Sequence, residues 1–215
     1  GGPVDTEGAD REGIDLPEDQ VDLIRAVTEM NDRTVVVLNV GAPTTTPWRH
    51  DVAALACAWY PGQEGGHAVA DVLFGDVDAS GRLPTTFFER LEDVPAVHHP
   101  QVDGRLPYGE GPLMGYRHAD SHGVEPAFCF GHGLGYSTFT YGAPSASIAP
   151  PEPSEAGAAA GDGDTGDPAR AAQAGAGDGR VTVEVPVTNT GDRAGTEVVQ
   201  VYVAGPSGSA GEPVQ

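Results

Sequence analysis

One acidic residue of the sequence stands where it could do proton chemistry. Glu7 lies directly before Gly8, in the stretch VDTEGADREGIDLPEDQ at residues 4–20. A carboxyl group on so flexible a backbone could be held out toward a substrate as a general acid or base. It could equally be one more solvated acid, because charged side chains are mostly exposed. Asp10 and Arg11, close by, suit a structural ion pair that holds the loop.

Two glycine-containing loops could bind a ligand. GAPTTTPW at 41–48 and YPGQEGG at 60–66 each follow a segment with strand character, and open α/β sheets bind ligands at the carboxyl ends of their strands. Glu64, or the backbone amides of Gly65 and Gly66 at a helix start, could hold an anion or a sugar hydroxyl. Such loops are also ordinary connectors, so both interpretations stay open.

The other chemistry-bearing residues indicate no further catalytic class. His98 and His99 adjoin each other without another His or Cys at ligand spacing, so no metal site is predicted. Cys57 and Cys129 lie far apart among apolar residues, which is typical of buried thiols. P-loop, dinucleotide and nucleophile-elbow motifs are missing, and no cofactor is predicted. Several aromatic residues could stack on a sugar ring or simply pack in the core: Trp48, Trp59, Tyr60, Tyr116 and Phe130.

The candidate residues lie on or between helices and strands that alternate along the chain. Apolar residues at helical spacing predict a helix over 16–30, after which the β-branched run TVVVLNV at 34–40 predicts a strand covered on both faces. DVAALA at 51–56 is predicted to be a short helix that leads into a second strand, ACAWY at 56–60.

A second helix and an edge strand are predicted next. GGHAVADVLFG at 65–75 predicts a helix that Gly75 ends, with Val69, Val72 and Leu73 facing inward. GRLPTTF at 81–87 predicts a further strand. Pro84 lacks a backbone donor, so this strand is expected at an edge of the sheet. This order indicates the α/β class, with a mainly parallel sheet flanked by helices.

The remainder of the chain changes character. Residues 88–135, rich in Pro, Gly, His and aromatic residues, predict long ordered loops, and a β pattern begins at Tyr136. RVTVEVPVTNT and TEVVQVYV predict a hairpin of a β-sandwich. The segment at about 150–179 has almost no large apolar residue and is predicted to be mobile.

Composition limits the partners. A net charge of -21 and a pI near 4.3 argue against nucleic acid and anionic membranes as partners. All eleven basic residues are arginine, and such an acidic chain suits a salt-rich solvent, as in a halophile. The apolar runs are too short to span a bilayer, and residues 1–15 lack the features of a signal peptide. Because the chain starts GGPV without Met, we expect it to be a piece of a longer polypeptide.

Five segments resemble the C-terminal part of glycoside hydrolase family 3 enzymes of the β-glucosidase type. In chain order they are TEGADREGIDLPEDQVDLIRAV, VVVLNVGAPTTTPW, AWYPGQEGGHAVADVLFGDVDASGRLPTTF, GYRHAD and PAFCFGHGLGYSTFTY. The likeness covers residues 4–141. The later VTVEVPVTNTGDRAGTEVVQVYV resembles the fibronectin type III-like domain that follows in the same enzymes.

The resemblance implies a domain organisation. Residues 1–135 would be the C-terminal portion of an α/β sandwich domain. Residues 136–215 would begin a fibronectin type III-like domain, a partial immunoglobulin-like sandwich with the acidic insert at about 150–179. In this family a (β/α)₈ barrel supplies an aspartate nucleophile and most of the glucose pocket, and that barrel would lie outside this chain.

The resemblance also implies a role for Glu7. The acid/base glutamate of similar enzymes lies in an EG segment shortly before an LPxxQxxLI helix, and Glu7 matches that position. The implied activity is that of a retaining exo-acting β-glucosidase, with a β-glucoside or oligosaccharide as substrate and the missing barrel as partner. The isolated chain would be inactive. Arg117 and His132 also match family positions, and structural roles at loop junctions are expected for both.

Three questions stay open on the sequence. The same machinery could act on β-xylosides or other sugars, because specificity lies mainly in the barrel. The scaffold could also serve as a non-catalytic carbohydrate-binding or interaction module. A homo-oligomer is compatible with either alternative.

Overall fold

The computed structural model describes residues 13–149 and 180–203 of the 215-residue chain. Its described residues form two compact units, one of 13–136 with 193–203 and the other of 137–149 with 180–192. Three residues singled out in the sequence, Glu7, Asp10 and Arg11, lie outside the described residues, and so does the predicted insert at 150–179.

The first unit contains a small parallel sheet and three helices. In chain order its elements are α1 (Glu18–Met30), β1 (Val35–Leu38), β2 (Ala54–Cys57), α2 (Gly65–Phe74), two short 3₁₀ helices (Leu91–Asp93 and Pro95–His98) and α3 (Tyr116–His122). Strands β1 and β2 pair in parallel, with Val35 opposite Ala54 and Leu38 opposite Cys57. The predicted parallel pairing of two strands, which lie between two helices in chain order, is therefore present in this unit.

Helix α1 begins where the sequence predicts it. Pro17 precedes the first turn, and the carboxylates of Glu18 and Asp19 lie in that turn, where they interact favourably with the helix dipole. Val21 and Ile24, three positions apart, pack against the buried core. The prediction of a helix over this segment is confirmed.

Helix α2 also ends as predicted. Gly75 follows its last turn with φ 82°, a left-handed conformation that closes helices at little cost for glycine. Val69, Val72 and Leu73 line a cleft of about 630 Å³ together with Leu38 and Leu55 of the sheet. Val69 and Val72 are half-buried as predicted, whereas Leu73 is 44% exposed. Helix and sheet therefore face each other across this cleft.

A compact core joins the strands to the loops that follow them. Its buried members are Leu16, Leu38, Val40, Trp48 and Phe87. The Phe87 ring meets two further aromatic rings edge to face, Trp59 at 5.8 Å and Phe128 at 6.2 Å between centroids. Edge-to-face contacts add stabilisation beyond the burial of apolar area.

Two predictions for this unit are wrong. Residues 51–56 form no helix, because Leu55 and its neighbours pair with β1 as strand β2. Six residues are too few for a stable isolated helix, so pairing with a neighbouring strand decides their conformation. Residues 81–87 form no continuous strand. Leu83 and Phe87 each exchange two backbone hydrogen bonds with the segment 128–132, at N···O distances of 2.7–3.2 Å, but Pro84 between them offers no backbone donor.

Helix α3 lies within a segment predicted to be loops. Glycines with positive φ flank it, Gly115 at 53° before it and Gly123 at 64° after it. Its seven residues are too few to give a periodic apolar pattern. The flanking glycines therefore mark this helix, which the apolar pattern does not predict.

The second unit consists of two antiparallel ladders of two strands each. Its strands are β3 (Phe139–Tyr141), β4 (Ser145–Ala149), β5 (Arg180–Glu184) and β6 (Val187–Asn189). β4 pairs with β5 and β3 with β6, and between the two ladders the Gly142 N–H donates to the Pro186 carbonyl. The predicted β pattern from Tyr136 onward is confirmed in β3 and β4, and the strand character of RVTVEVPVTNT at 180–190 is confirmed in β5 and β6.

The predicted hairpin partner of β5 and β6 is wrong. TEVVQVYV at 196–203 forms no strand in the structure. Its side chains bind the first unit instead: Glu197 pairs with Arg82 at 3.3 Å, and the Gln200 amide donates to the Gly131 carbonyl at 3.3 Å. Just before it, the Arg193 guanidinium lies 5.2 Å from the Tyr136 ring. These side-chain contacts, rather than a backbone ladder, hold the segment.

We expect Glu197→Gln to loosen segment 193–203. The side chains of Arg82 and Glu197 are only 11% and 20% exposed, so the loss of the charge weakens a charge-assisted hydrogen bond that water screens little. A loss of about 1–2 kcal/mol raises the open population about 5- to 30-fold. Tryptic cleavage after Arg193, timed by mass spectrometry, should accelerate accordingly. Glu184→Gln on exposed β5 is the matched control, and an unchanged rate at Arg193 would contradict the expectation.

Candidate functional site at the carboxyl end of the parallel sheet

The two loops predicted as ligand-binding begin at the same edge of the sheet. Leu38 and Cys57 are register partners, and the Ala58 N–H donates to the Leu38 carbonyl at 2.8 Å. The loops that follow β1 and β2 therefore leave side by side at the carboxyl ends of parallel strands. Their meeting point is the candidate functional site.

The loop after β1 is bound to the residues that precede α1. Thr44 is 1% exposed and Thr45 is 7% exposed. The Thr44 hydroxyl and the Thr45 N–H both donate to the Ile14 carbonyl, at 2.6 and 2.9 Å. The Thr45 hydroxyl donates to the Asp15 carboxylate. Sequence reasoning missed this contact, although three consecutive threonines before Pro47 were a visible signal of a hydroxyl-rich loop.

The residues after these threonines pack inward. Trp48 is buried in the core, which supports the packing interpretation of this residue over sugar stacking. The Arg49 guanidinium forms a two-pronged pair with the Glu89 carboxylate, with Nη1 to Oε2 at 3.0 Å, and lies 6.0 Å from the Phe128 ring. Such paired hydrogen bonds fix orientation as well as distance. They tie the loop after β1 to the segment after Phe87.

The loop after β2 starts with a strained residue. Trp59 has φ 52°, a left-handed conformation that is a genuine outlier for so large a side chain. Such a conformation costs about 1–3 kcal/mol and persists where its surroundings enforce it, here the contact of its ring with Phe87. The next residue, Tyr60, places its hydroxyl where a side chain at Gly41 would lie. The two loops therefore touch through Gly41 and Tyr60.

The start of α2 carries the remaining predicted binding groups. Gly65 is buried under Pro61, and the Glu64 carboxylate lies 2.7 Å from Nδ1 of His67. Both side chains of that pair are exposed. The structure thus brings a carboxylate and an imidazole together beside the loop after β2, and a ligand role for Glu64, Gly65 or Gly66 stays a prediction.

The histidines form contacts other than metal ligation. His98 Nε2 lies 2.9 Å from the Glu92 carbonyl, and the His99 ring packs against Gly109. His118 stacks on His122 with 4.3 Å between ring centroids, and burial together with the neighbouring histidines lowers the pKa of His118. Within residues 13–149 and 180–203, no group of three or more His, Cys, Asp or Glu side chains is placed to hold a metal ion.

The two cysteines are free thiols, as predicted, but neither is fully buried. Cys57 is half-buried in β2 and Cys129 is exposed. Burial raises the pKa of the Cys57 thiol, which makes it less reactive. The prediction of buried thiols is therefore wrong for Cys129, which is exposed although the preceding residue, Phe128, packs against the core.

Other aromatic and basic residues named above contact neighbouring rings. Tyr116 contacts Phe130 and Tyr202, with ring centroids 5.5 and 5.4 Å apart. The Arg117 guanidinium lies 5.9 Å from the Tyr116 ring, and the His132 imidazole lies 5.1 Å from the Phe128 ring. These ring contacts support structural roles for Arg117 and His132.

Across the part of the chain that the structure describes, no helix has the length and apolarity needed to span a bilayer.

The family of this chain follows from a match over most of the first unit. Residues 1–136 match the model of the glycosyl hydrolase family 3 C-terminal domain. The chain belongs to this family.

Its relatives are larger enzymes. The chain is 46% identical to a β-glucosidase of Rhizobium radiobacter over 217 residues, which is 99% of this chain and 24% of that protein. The chain thus spans about a quarter of the length of this relative.

Solved structures agree in fold. A β-glucosidase from Streptomyces venezuelae, in complex with D-glucose, is 42% identical with a TM-score of 0.64, over 66% of this chain and 19% of that one. A β-glucosidase from Kluyveromyces marxianus is 34% identical with a TM-score of 0.66, over 87% of this chain and 19% of that one. The small parallel sheet, the few helices and the antiparallel strands are consistent with this family's C-terminal domain.

Proposed function

We propose that the chain is the C-terminal part of a retaining, exo-acting β-glucosidase that removes terminal β-D-glucosyl residues. The observation that carries the proposal is the family match over residues 1–136, together with relatives that are named β-glucosidases. The substrate is a β-glucoside or an oligosaccharide. No cofactor takes part, because carboxylate chemistry suffices for glycoside hydrolysis.

Glu7 is the general acid/base of this reaction. A retaining glycosidase places two carboxyl groups about 5–5.5 Å apart, one to attack the anomeric carbon and one to protonate the leaving oxygen and later activate water. Glu7 supplies the second group, and its pKa must be raised by burial or by a neighbouring carboxylate once substrate and barrel surround it. Ile14 and Asp15, seven and eight positions further along the chain, are held at the carboxyl end of the sheet, where open α/β sheets bind ligands.

The nucleophile and the sugar pocket belong to a barrel domain elsewhere in a longer polypeptide. The short span of this chain relative to the Rhizobium enzyme supports this. Large apolar side chains of the first unit, such as Met30, Phe74 and Leu134, are strongly exposed and suit coverage by further protein. In this proposal the first unit is part of an α/β sandwich domain, and the antiparallel strands begin a fibronectin type III-like domain. The acidic composition supports a salt-rich environment.

The proposal is tested with the complete enzyme. We expect a higher kcat/KM on 4-nitrophenyl β-D-glucoside than on the β-D-xyloside, with β-glucose as the first product in an NMR time course. The isolated 215-residue chain should be inactive. Preference for the xyloside would assign the enzyme to β-xylosides, an α-glucose product would exclude a retaining mechanism, and binding without turnover would indicate a non-catalytic module.

A further inference from the structure

Two histidines of α3 lie one helical turn apart. His118 and His122 are four positions apart within Tyr116–His122, so their side chains lie on the same face of the helix. Their imidazole rings stack, with 4.3 Å between centroids and 27° between ring planes. Neither histidine is used in the proposed glycoside hydrolysis. We propose that His118 and His122 together bind a divalent transition metal ion that prefers imidazole ligands, such as Zn²⁺.

The spacing of the pair suits a shared ion. Histidines at positions i and i+4 of a helix bind Zn²⁺ from one face in the zinc-binding helix of metalloproteases. With Zn–N bonds of about 2.0–2.1 Å, two nitrogens on a tetrahedral ion lie about 3.4 Å apart. The stacked rings exceed this separation by only about 1 Å. Small rotations about the side-chain torsions therefore bring one nitrogen of each ring to the same ion.

His122 is held in the tautomer that a metal needs. Its Nδ1 lies 3.1 Å from the His118 carbonyl oxygen. A carbonyl only accepts hydrogen bonds, so Nδ1 carries the proton and Nε2 keeps its lone pair. Histidines that ligate metals commonly donate their other ring N–H to a carbonyl in this way.

His118 is ready to bind a metal at neutral pH. Burial, together with the neighbouring His122 and His98, lowers the pKa of His118, and the opposing effect of Asp93 is smaller. The neutral imidazole, which is the form that ligates, therefore prevails at pH 7. The His118 ring also contacts the buried Phe88 ring edge to face, with 6.3 Å between centroids. This contact connects the proposed ligand to buried protein.

Water completes the coordination in this proposal. Among the described residues, no third His, Cys, Asp or Glu side chain is placed to form a metal-binding group with the pair. The affinity therefore rests on the two imidazoles, and the net charge of -21 raises the concentration of cations near the protein. Because both ligands lie on one turn of a seven-residue helix, the ion closes that turn and orders a helix too short to be stable alone.

Protection from diethyl pyrocarbonate by Zn²⁺ tests the site in the complete enzyme. The reagent modifies a neutral imidazole nitrogen, and a metal ion on that nitrogen blocks the reaction. Mass spectrometry measures each histidine separately, and all seven histidines of this chain lie among the described residues. We expect Zn²⁺ alone to slow the modification of His118 and His122 by at least about 10-fold. The exposed His50 and His132 should change by less than about twofold.

His122→Gln separates one shared ion from two independent effects. His122 is exposed, so its replacement leaves the packing of the chain intact. If both rings bind one ion, this variant should raise the Zn²⁺ concentration that half-protects His118 by about 10- to 100-fold.

His67→Gln is the matched control. His67 also has a potential ligand beside it, the Glu64 carboxylate 2.7 Å away, on another exposed helical turn. The control variant should leave the protection of His118 and His122 by Zn²⁺ unchanged.

Three outcomes would overturn the site. One is protection of His118 that persists unchanged in His122→Gln, and another is no protection of either histidine by Zn²⁺ up to about 1 mM. The third is protection of His67 in place of the pair, which would assign the ion to Glu64 and His67. The measurement does not involve glucoside hydrolysis, so none of these outcomes bears on the proposed function.

Discussion

Glu7→Gln in the complete enzyme is expected to lower kcat/KM on phenyl β-D-glucoside by about 10²- to 10⁴-fold, the usual contribution of a general acid. Glutamine keeps the size of the side chain but cannot give up a proton to the leaving oxygen. The 2,4-dinitrophenyl glucoside should retain most of its kcat/KM because its leaving group needs no protonation. Its kcat should fall instead, since hydrolysis of the glucosyl-enzyme intermediate needs the same carboxylate as a base.

Azide gives this expectation an independent readout. Azide is a nucleophile that needs no general base, so it should restore kcat of the Glu7→Gln variant on the dinitrophenyl glucoside and yield β-glucosyl azide. The pH profile of the variant should also lose the limb that reflects the acid form. Glu12→Gln, a few residues further along the same segment, is the control and should behave like the unmodified enzyme. Unchanged turnover of the phenyl glucoside by Glu7→Gln would refute the assignment.

Phe87→Ala should lower the free energy of unfolding of the first unit by about 3–5 kcal/mol, the usual cost of removing a buried phenylalanine. Phe87 is 2% exposed, and its ring contacts Trp59 and Phe128 edge to face. The alanine variant loses these contacts and leaves a cavity where the loop after β2 meets the segment after Leu83. Because Trp59 is held in a strained conformation against this ring, that loop should loosen as well.

Urea unfolding of the 215-residue chain measures this loss. The chain contains two tryptophans, Trp48 and Trp59; one shares the core with Phe87 and the other contacts its ring, so fluorescence reports on this region. Phe74→Ala is the matched control, since Phe74 is 86% exposed and its removal should change stability by no more than about 0.5 kcal/mol. Similar midpoints for the Phe87→Ala variant and the unmodified chain would mean that the core does not depend on this ring.

The sequence predicts those elements whose signals are local. Helix α1 has its apolar period and acidic first turn, β1 has a β-branched run, and α2 has Gly75 at its end. Each signal lies within one element, so no knowledge of the rest of the chain is needed. The helical spacing of apolar residues did not show which of them in α1 pack against the core. Val21 and Ile24 contact the core, while Leu23 and Met30 are exposed.

Predictions that depend on a distant partner were less successful. DVAALA at 51–56 contains good helix formers, yet pairing with Val36 and its neighbours makes part of it a strand. TEVVQVYV at 196–203 alternates like a strand, yet contacts with Arg82 and Gly131 hold it without a ladder. Tertiary context overrides weak local propensity in short segments.

In the candidate site, too, local features were predictable from the sequence and contacts between distant residues were not. The EG segment with Glu7 and the two loops after the strands were visible as residue types in order, and the family resemblance implied an acid/base role for Glu7. Only the tertiary structure joined Thr44 and Thr45 to Ile14 and Asp15, residues about 30 positions away along the chain. The physical reason is that a hydroxyl has no preferred partner in the sequence: burial removes water as a partner, and the fold then decides which carbonyl or carboxylate accepts the hydrogen bond.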